Sequence, residues 1–183
     1  GSEMCIRDRD TCTVTVTAEG AVIPTVEEPK TYTDKIAEDD KKTAGDVAGS
    51  VAADETITSA AQSAANSLNG SSEKETLISK GEEELKPTEA QKVSLYTQTY
   101  LNIEATELAK DESDNVTSIT LDITPMMQVV ASTATNSADI KLDSNGDTNA
   151  VVVQDPKPLT IRTEAEITVT LPENFKSQPV FVT

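Results

Sequence analysis

The chain has 183 residues, with 15 basic against 32 acidic side chains, a net charge of −17, no histidine and no tryptophan. Without histidine there is no Ser-His-Asp triad, no Cys-His dyad and no His-liganded zinc or haem, and the charge repels phosphate backbones and anionic membranes, which argues against nucleic-acid partners. No apolar run approaches the ~20 residues that span a bilayer, and 36% hydrophobic residues in clearly periodic segments argue for folded structure.

Gly1-Ser2 reads as the remnant of an expression tag, and Met4-Cys5-Ile6-Arg7-Asp8-Arg9 resembles a translated sequencing adapter of the kind found at the ends of metagenomic reading frames. On that reading the natural chain begins near Asp10 and extends further upstream. A disulfide between Cys5 and Cys12 would close a small loop for little gain, so a lone buried Cys12 is the expectation. Thr11 to Ala18 alternates Thr with Cys12, Val14 and Val16, the period of a strand, and ends at Glu19-Gly20. This stretch resembles the last strand of a bacterial Ig-like domain of group 2, which implies the severed end of a preceding module. Such a strand stays disordered or adds to a sheet edge, within the chain or between chains, giving weak homo-association through residues 11–18.

Residues 20–46 are dense in Asp, Glu and Lys, contain Pro24 and Pro29, and read as a solvated acidic linker. The folded domain is therefore expected over 47–183, with helices at about 47–85 and strands at about 91–183. Thr43 to Ala53 is a weak helix candidate. Ile57, Ala60, Ala61, Ala64, Ala65 and Leu68 form one apolar helical face, capped at Asp54 or Thr56 and stopped at Asn69-Gly70. Ser72-Glu73-Lys74-Glu75 has capping-box spacing for a second helix that runs to Lys80-Gly81, or on to Leu85 before Pro87.

From residue 91 the period changes to two. Val93 to Ala105 predicts a long strand with a bulge or bend near Thr97–Thr99, and Ile119, Leu121 and Ile123 a strand stopped by Pro125, with Met127 to Ala131 as a separate one. Asn145-Gly146 between Ile140/Leu142 and Val151-Val152-Val153 is a hairpin signal. Pro156 and Pro158 are expected to break the ladder. Ile161, Ile167, Val169 and Leu171 line another strand or pair, and Val180-Phe181-Val182 a last one. The fold class that follows is α+β, mainly β: an antiparallel β-sandwich, Ig-like or related, with a helical segment N-terminal to most strands.

Two groups are candidate binding sites. Asp143, Asn145, Asp147 and Asn149 alternate around Gly146 and offer oxygen ligands for calcium, although Gly146 is fourth and Gln154 twelfth in that loop, against the EF-hand order; a plain turn accounts for the same residues. Tyr96 and Tyr100 share a strand face and could stack on a sugar, or pack half-buried. The consecutive acids Glu82-Glu83-Glu84 point in different directions on a helix surface and make no acid–base pair.

Leu121-Asp122-Ile123-Thr124-Pro125-Met126, Asn149-Ala150-Val151-Val152, Leu171-Pro172-Glu173-Asn174-Phe175 and Pro179-Val180-Phe181-Val182 carry a further likeness. Over Val93 to Val182 the chain is similar to modules of very large surface proteins of gut-dwelling Gram-positive bacteria. The resemblance implies an extracellular, cell-wall-associated structural or adhesion module and no catalytic residues. It also implies neighbouring domains of the same protein as partners, together with a host protein or glycan. A carbohydrate-binding or calcium-dependent binding domain is the alternative.

Overall fold

The computed structural model describes residues 20–142 and 146–175. The adapter-like residues 4–9, the strand expected at 11–18 with both cysteines, Asp143, Asn145 and the strand at 180–182 lie outside the described residues.

The frame is a long hairpin. Strand β4 (Ser94–Lys110) pairs antiparallel with β5 (Val116–Ser132) from Ser94↔Ser132 at its base to Lys110↔Val116 at its tip. Seventeen residues per strand at about 3.3 Å each give a hairpin of about 55 Å. The tip is tied by Asp111, whose Oδ1 accepts the amides of Ser113 and Asn115 at 2.9 Å each. Strand β6 (Ala150–Pro158) adds antiparallel to the base half of β5, from Ser132↔Ala150 to Met126↔Pro158. On the opposite side, β1 (Val22–Val26) and β2 (Lys30–Tyr32) lie end to end along β4, both parallel to it.

The α+β class, with mostly strands, holds. The sheet is mixed, because β1 and β2 precede the helices and must cross over before β4. Among the described residues one face of the sheet is covered by helices and not by a second sheet: α1 (Lys41–Gly49), α2 (Thr56–Asn69) and α3 (Glu73–Leu85). A two-stranded pair of β3 (Ala52–Ala53) and β7 (Ile167–Thr168) sits apart from the main sheet.

Alternation along β4 sends Leu95, Thr97, Thr99, Leu101, Ile103 and Ala105 to the helical side. Ala65 and Leu68 of α2 and Leu77 of α3 pack there with Leu95, Val129, Ala131 and Val153. Further along, Ala48, Val51 and Ile57 meet Leu101 and Ile103, and Ala44 with Ile36 meets Ala105. Small side chains set the spacing of the two layers. At the closest approach a Cβ on Gly81 would overlap that of Ala131 and lie 3.3 Å from Val93 Cγ1. The other sheet face is covered at its base by the 133–149 loop, whose Ile140 and Leu142 pack on Tyr96, Val130 and Ala150.

Several expectations change. The stretch read as a linker holds β1, β2 and the start of α1, with Val22, Ile36 and Ala44 buried. Its carboxylates Glu27, Glu28, Asp34, Glu38 and Asp39 simply occupy the exposed positions. The bulge in β4 falls between Ala105 and Glu107, not at Thr97–Thr99. Strand β5 passes through Pro125 unbroken. The Pro125 carbonyl accepts the Leu159 amide at 2.8 Å, and the N and O of one residue point to the same side of a strand. The proline nitrogen therefore faces away from β4, where no ladder bond is lost. Pro156 and Pro158 remain inside β6 because it is an edge strand, where proline also blunts further pairing. Ile140–Leu142 forms no strand: a 3-10 turn at Ser137–Asp139 leads into a loop closed by the Asn149 amide on the Lys141 carbonyl at 3.1 Å. Of 161–171 only Ile167–Thr168 is strand, while Ile161 and Val169 pack into the helical layer.

Candidate functional site

The outer sheet face carries the sugar-stacking candidates. Both tyrosines are buried, Tyr96 at 0% and Tyr100 at 4% exposure. The Tyr96 hydroxyl donates to the Ala134 carbonyl at 2.7 Å, fastening the 133–149 loop to β4. Tyr100 lies under Lys30, whose Nζ sits 4.1 Å from the ring centroid, a cation–π contact that joins β2 to β4. A ring covered in this way has no face for a sugar, so these residues are packing and anchoring groups. Between them Gln128 Nε2 donates to Gln98 Oε1 at 2.6 Å, a buried amide pair across β4 and β5.

Of the calcium candidates, Asp147 and Asn149 are described, and they lie beside Asp139 and Lys141. Asn149 clasps both: its Oδ1 accepts the Lys141 amide at 2.7 Å and its Nδ2 donates to the Asp139 carbonyl at 2.8 Å. Asp147 accepts from Lys141 Nζ at 2.7 Å, and that bond and charge hold its carboxyl below the usual range. Gly146 has φ +93°, the left-handed region that favours glycine. The two described candidates are thus engaged in shaping the turn. Among the described residues no group of three or more Cys, Asp or Glu is placed to hold a metal ion.

Clefts open on the surface among the described residues. One, of about 240 Å³, sits where β1 gives way to β2, walled by Val26, Pro29, Val51, Ile57 and Leu101 with Glu27 and Asp54 among its lining residues. A wider one of about 530 Å³ lies between the end of α3 and β6, lined by Glu84, Leu85, Leu142, Thr148 and residues 150–152. Asp54 is the best-connected polar residue at the first. Its Oδ1 accepts the Thr56 amide at 3.0 Å and its Oδ2 the Glu166 amide at 3.2 Å. Its carboxyl is held below the ordinary value by hydrogen bonding from Thr56 and then by the Glu166 amide. Its own amide donates to the Glu166 carbonyl at 3.0 Å, and Ser50 Oγ accepts the Thr170 amide at 2.9 Å. The segment after β6 is thereby stitched to the start of α2. Positions more than a hundred residues apart gave no local signal of this junction.

The same is true of Thr97 and Thr99. Both are fully buried on the helical side, and neither Oγ1 has a hydrogen-bond partner.

No known protein family, curated protein or solved structure matches the chain.

No described helix is long and apolar enough to cross a membrane. What the geometry does provide is a path. The first described strand begins at the hairpin base, where Val22 pairs with Leu95, and the last described turn lies at the tip, where Asn174 Nδ2 donates to the Asp114 carbonyl at 3.2 Å.

Proposed function

We propose that the chain is a non-catalytic extracellular module of a bacterial cell-surface protein, structural or adhesive, and associated with the cell wall. The observation that carries this reading is the end-to-end path of the described chain: its first strand begins at one end of the long hairpin and its last turn lies at the other. A spacer between neighbouring domains uses that arrangement. The acidic surface agrees with the setting, since it keeps the module solvated and discourages self-association.

As a spacer the module has the neighbouring domains of the same protein as its partners; only as an adhesive module does it also take a host protein or glycan. Residues 11–18 are the closing strand of a preceding Ig-like module, with weak homo-association when that strand lacks its sheet. The sandwich, Ig-like part of the fold reading rests on that likeness and on the spacing of turns. Its second sheet would have to come from residues outside the described set or from an adjacent module.

A glycan array probed with the full chain, with and without calcium, tests the proposal. Absence of specific binding in both conditions agrees with a spacer. Specific sugar binding overturns the spacer reading in favour of a carbohydrate-binding domain, and binding only with calcium assigns the loop around Asp147 and Asn149 to a calcium-dependent one.

A further inference from the structure

We infer that the domain is built to carry tension along its long axis, with its ladders loaded in shear; this rests on the spacer reading and adds a mechanical role to it. The directions of the strands decide the matter. β1 runs from base to tip, and the chain reaches it from the base, at Gly20. Tension on the upstream chain therefore draws β1 backwards along its own axis, parallel to β4. β6 also runs from base to tip, since Ala150 pairs with Ser132 at the base and Pro158 with Met126 further out. The chain beyond it passes Ile161 and Val169 in the helical layer and reaches Asn174 at the tip. Tension on the downstream chain draws the far end of β6 towards the tip.

The two pulled strands are thus the two edges of one sheet, drawn in opposite senses, with the β4–β5 hairpin between them. Ladder hydrogen bonds run across the strands, so a force along the strands loads all bonds of a ladder together. A force that separates two strand ends breaks them one after another.

The upstream edge is reinforced along the whole hairpin. Val22–Val26 pairs with Leu95–Thr99, and Lys30–Tyr32 with Asn102–Glu104. Lys30 lies over Tyr100, Lys35 pairs with Glu104 at 3.1 Å, and Asp40 accepts from Lys110 at 2.7 Å. The downstream end has a sequence of weaker holds that give first: Asn174 on Asp114, the β3–β7 pair, and the Asp54–Glu166 and Ser50–Thr170 bonds. Their release would lengthen the tether before the sheet is loaded, a small extensible segment in series with a stiff one.

Single-molecule pulling on two axes tests this. In one arm the full chain is held by handles at its two termini. In the other, with Cys5 and Cys12 changed to Ser, it is held through cysteines placed at Glu89 and Asn136, each a few residues along the chain from the Ser94–Ser132 pair at the hairpin base. End-to-end rupture is expected at a force higher by about twofold or more than opening from the base. Thr25→Pro removes an amide on the side of β1 from which Glu27 donates to the Thr99 carbonyl at 2.7 Å. That variant is expected to lower the end-to-end force and leave base opening unchanged. An end-to-end force equal to or below the base-opening force overturns the inference, as does a Thr25→Pro effect of equal size on both axes. Because sugar binding does not change the ratio of the two forces, a failure of the spacer reading on the glycan array stays distinguishable from a failure here.

Discussion

At the residue scale, the stability of the layer between sheet and helices is limited by two hydroxyls. Thr97 and Thr99 are β-branched, which suits a strand, but each buries a hydroxyl oxygen with no hydrogen-bond partner. Valine keeps the shape and removes the oxygen. Thr97→Val and Thr99→Val are each expected to raise stability, by about 1 kcal/mol, in urea unfolding. A loss of stability in both would mean that the hydroxyls have partners. Asp54 gives a second residue-scale prediction, this time in pH. Its folded carboxyl lies below its unfolded value, so its contribution is present above the ordinary carboxylate range and is lost as pH falls through the folded pKa. Asn in its place has one acceptor oxygen for two amides. The stability gap between the protein and Asp54→Asn is therefore expected at neutral pH and should close only as pH falls below the ordinary carboxylate range, through the lowered folded pKa. A gap independent of pH would show that the charge does not matter there.

At the scale of elements, the two layers meet where side chains are smallest. Gly81 of α3 faces Ala131 of β5 with no room for a methyl group. On an exposed helix Gly→Ala would gain about 1 kcal/mol. Here overpacking dominates, and Gly81→Ala is expected to destabilise by about 1–3 kcal/mol. A stabilised variant would place α3 further from the sheet. The same elements show what a sequence discloses. α2 was legible because Ile57, Ala60, Ala61, Ala64, Ala65 and Leu68 repeat at helical spacing over about three turns; Ile57, Ala61, Ala65 and Leu68 are buried and Ala60 and Ala64 half-buried, while Gln62 and Asn66 face outward. α3 was legible from Ser72 and Pro87, although the Ser72 side chain makes no capping bond. β1 was not, because five residues with a central proline and acidic neighbours carry no period of their own. Its strand character comes from a partner some seventy residues later. Pro125, Pro156 and Pro158 misled for a related reason: a proline ends a ladder only where its nitrogen faces a partner, and facing is a property of the sheet. The period-two pattern put Tyr96 and Tyr100 on one face correctly but held no information about Lys30 or the 133–149 loop, which cover them.

At the scale of the whole molecule, β1, β2 and β4–β6 form one sheet that runs from base to tip, and the helices pack against one of its faces. The acidic charge is spread over exposed positions, where single ion pairs such as Lys42–Asp46 are worth little and salt screens them further. Cohesion therefore rests on the ladders and on the alanine-lined layer beneath them. The central claim is that the described ends of the chain lie at opposite ends of the hairpin. Its most direct test is the distance between labels at Gly20 and Glu173, measured by double electron–electron resonance after Cys5 and Cys12 are changed to Ser. The path along β4 from Leu95 to the tip predicts a single narrow distribution near 50 Å, about 3.3 Å for each residue of strand. A distribution centred near 20 Å, with both ends on one side of the sheet, would contradict it.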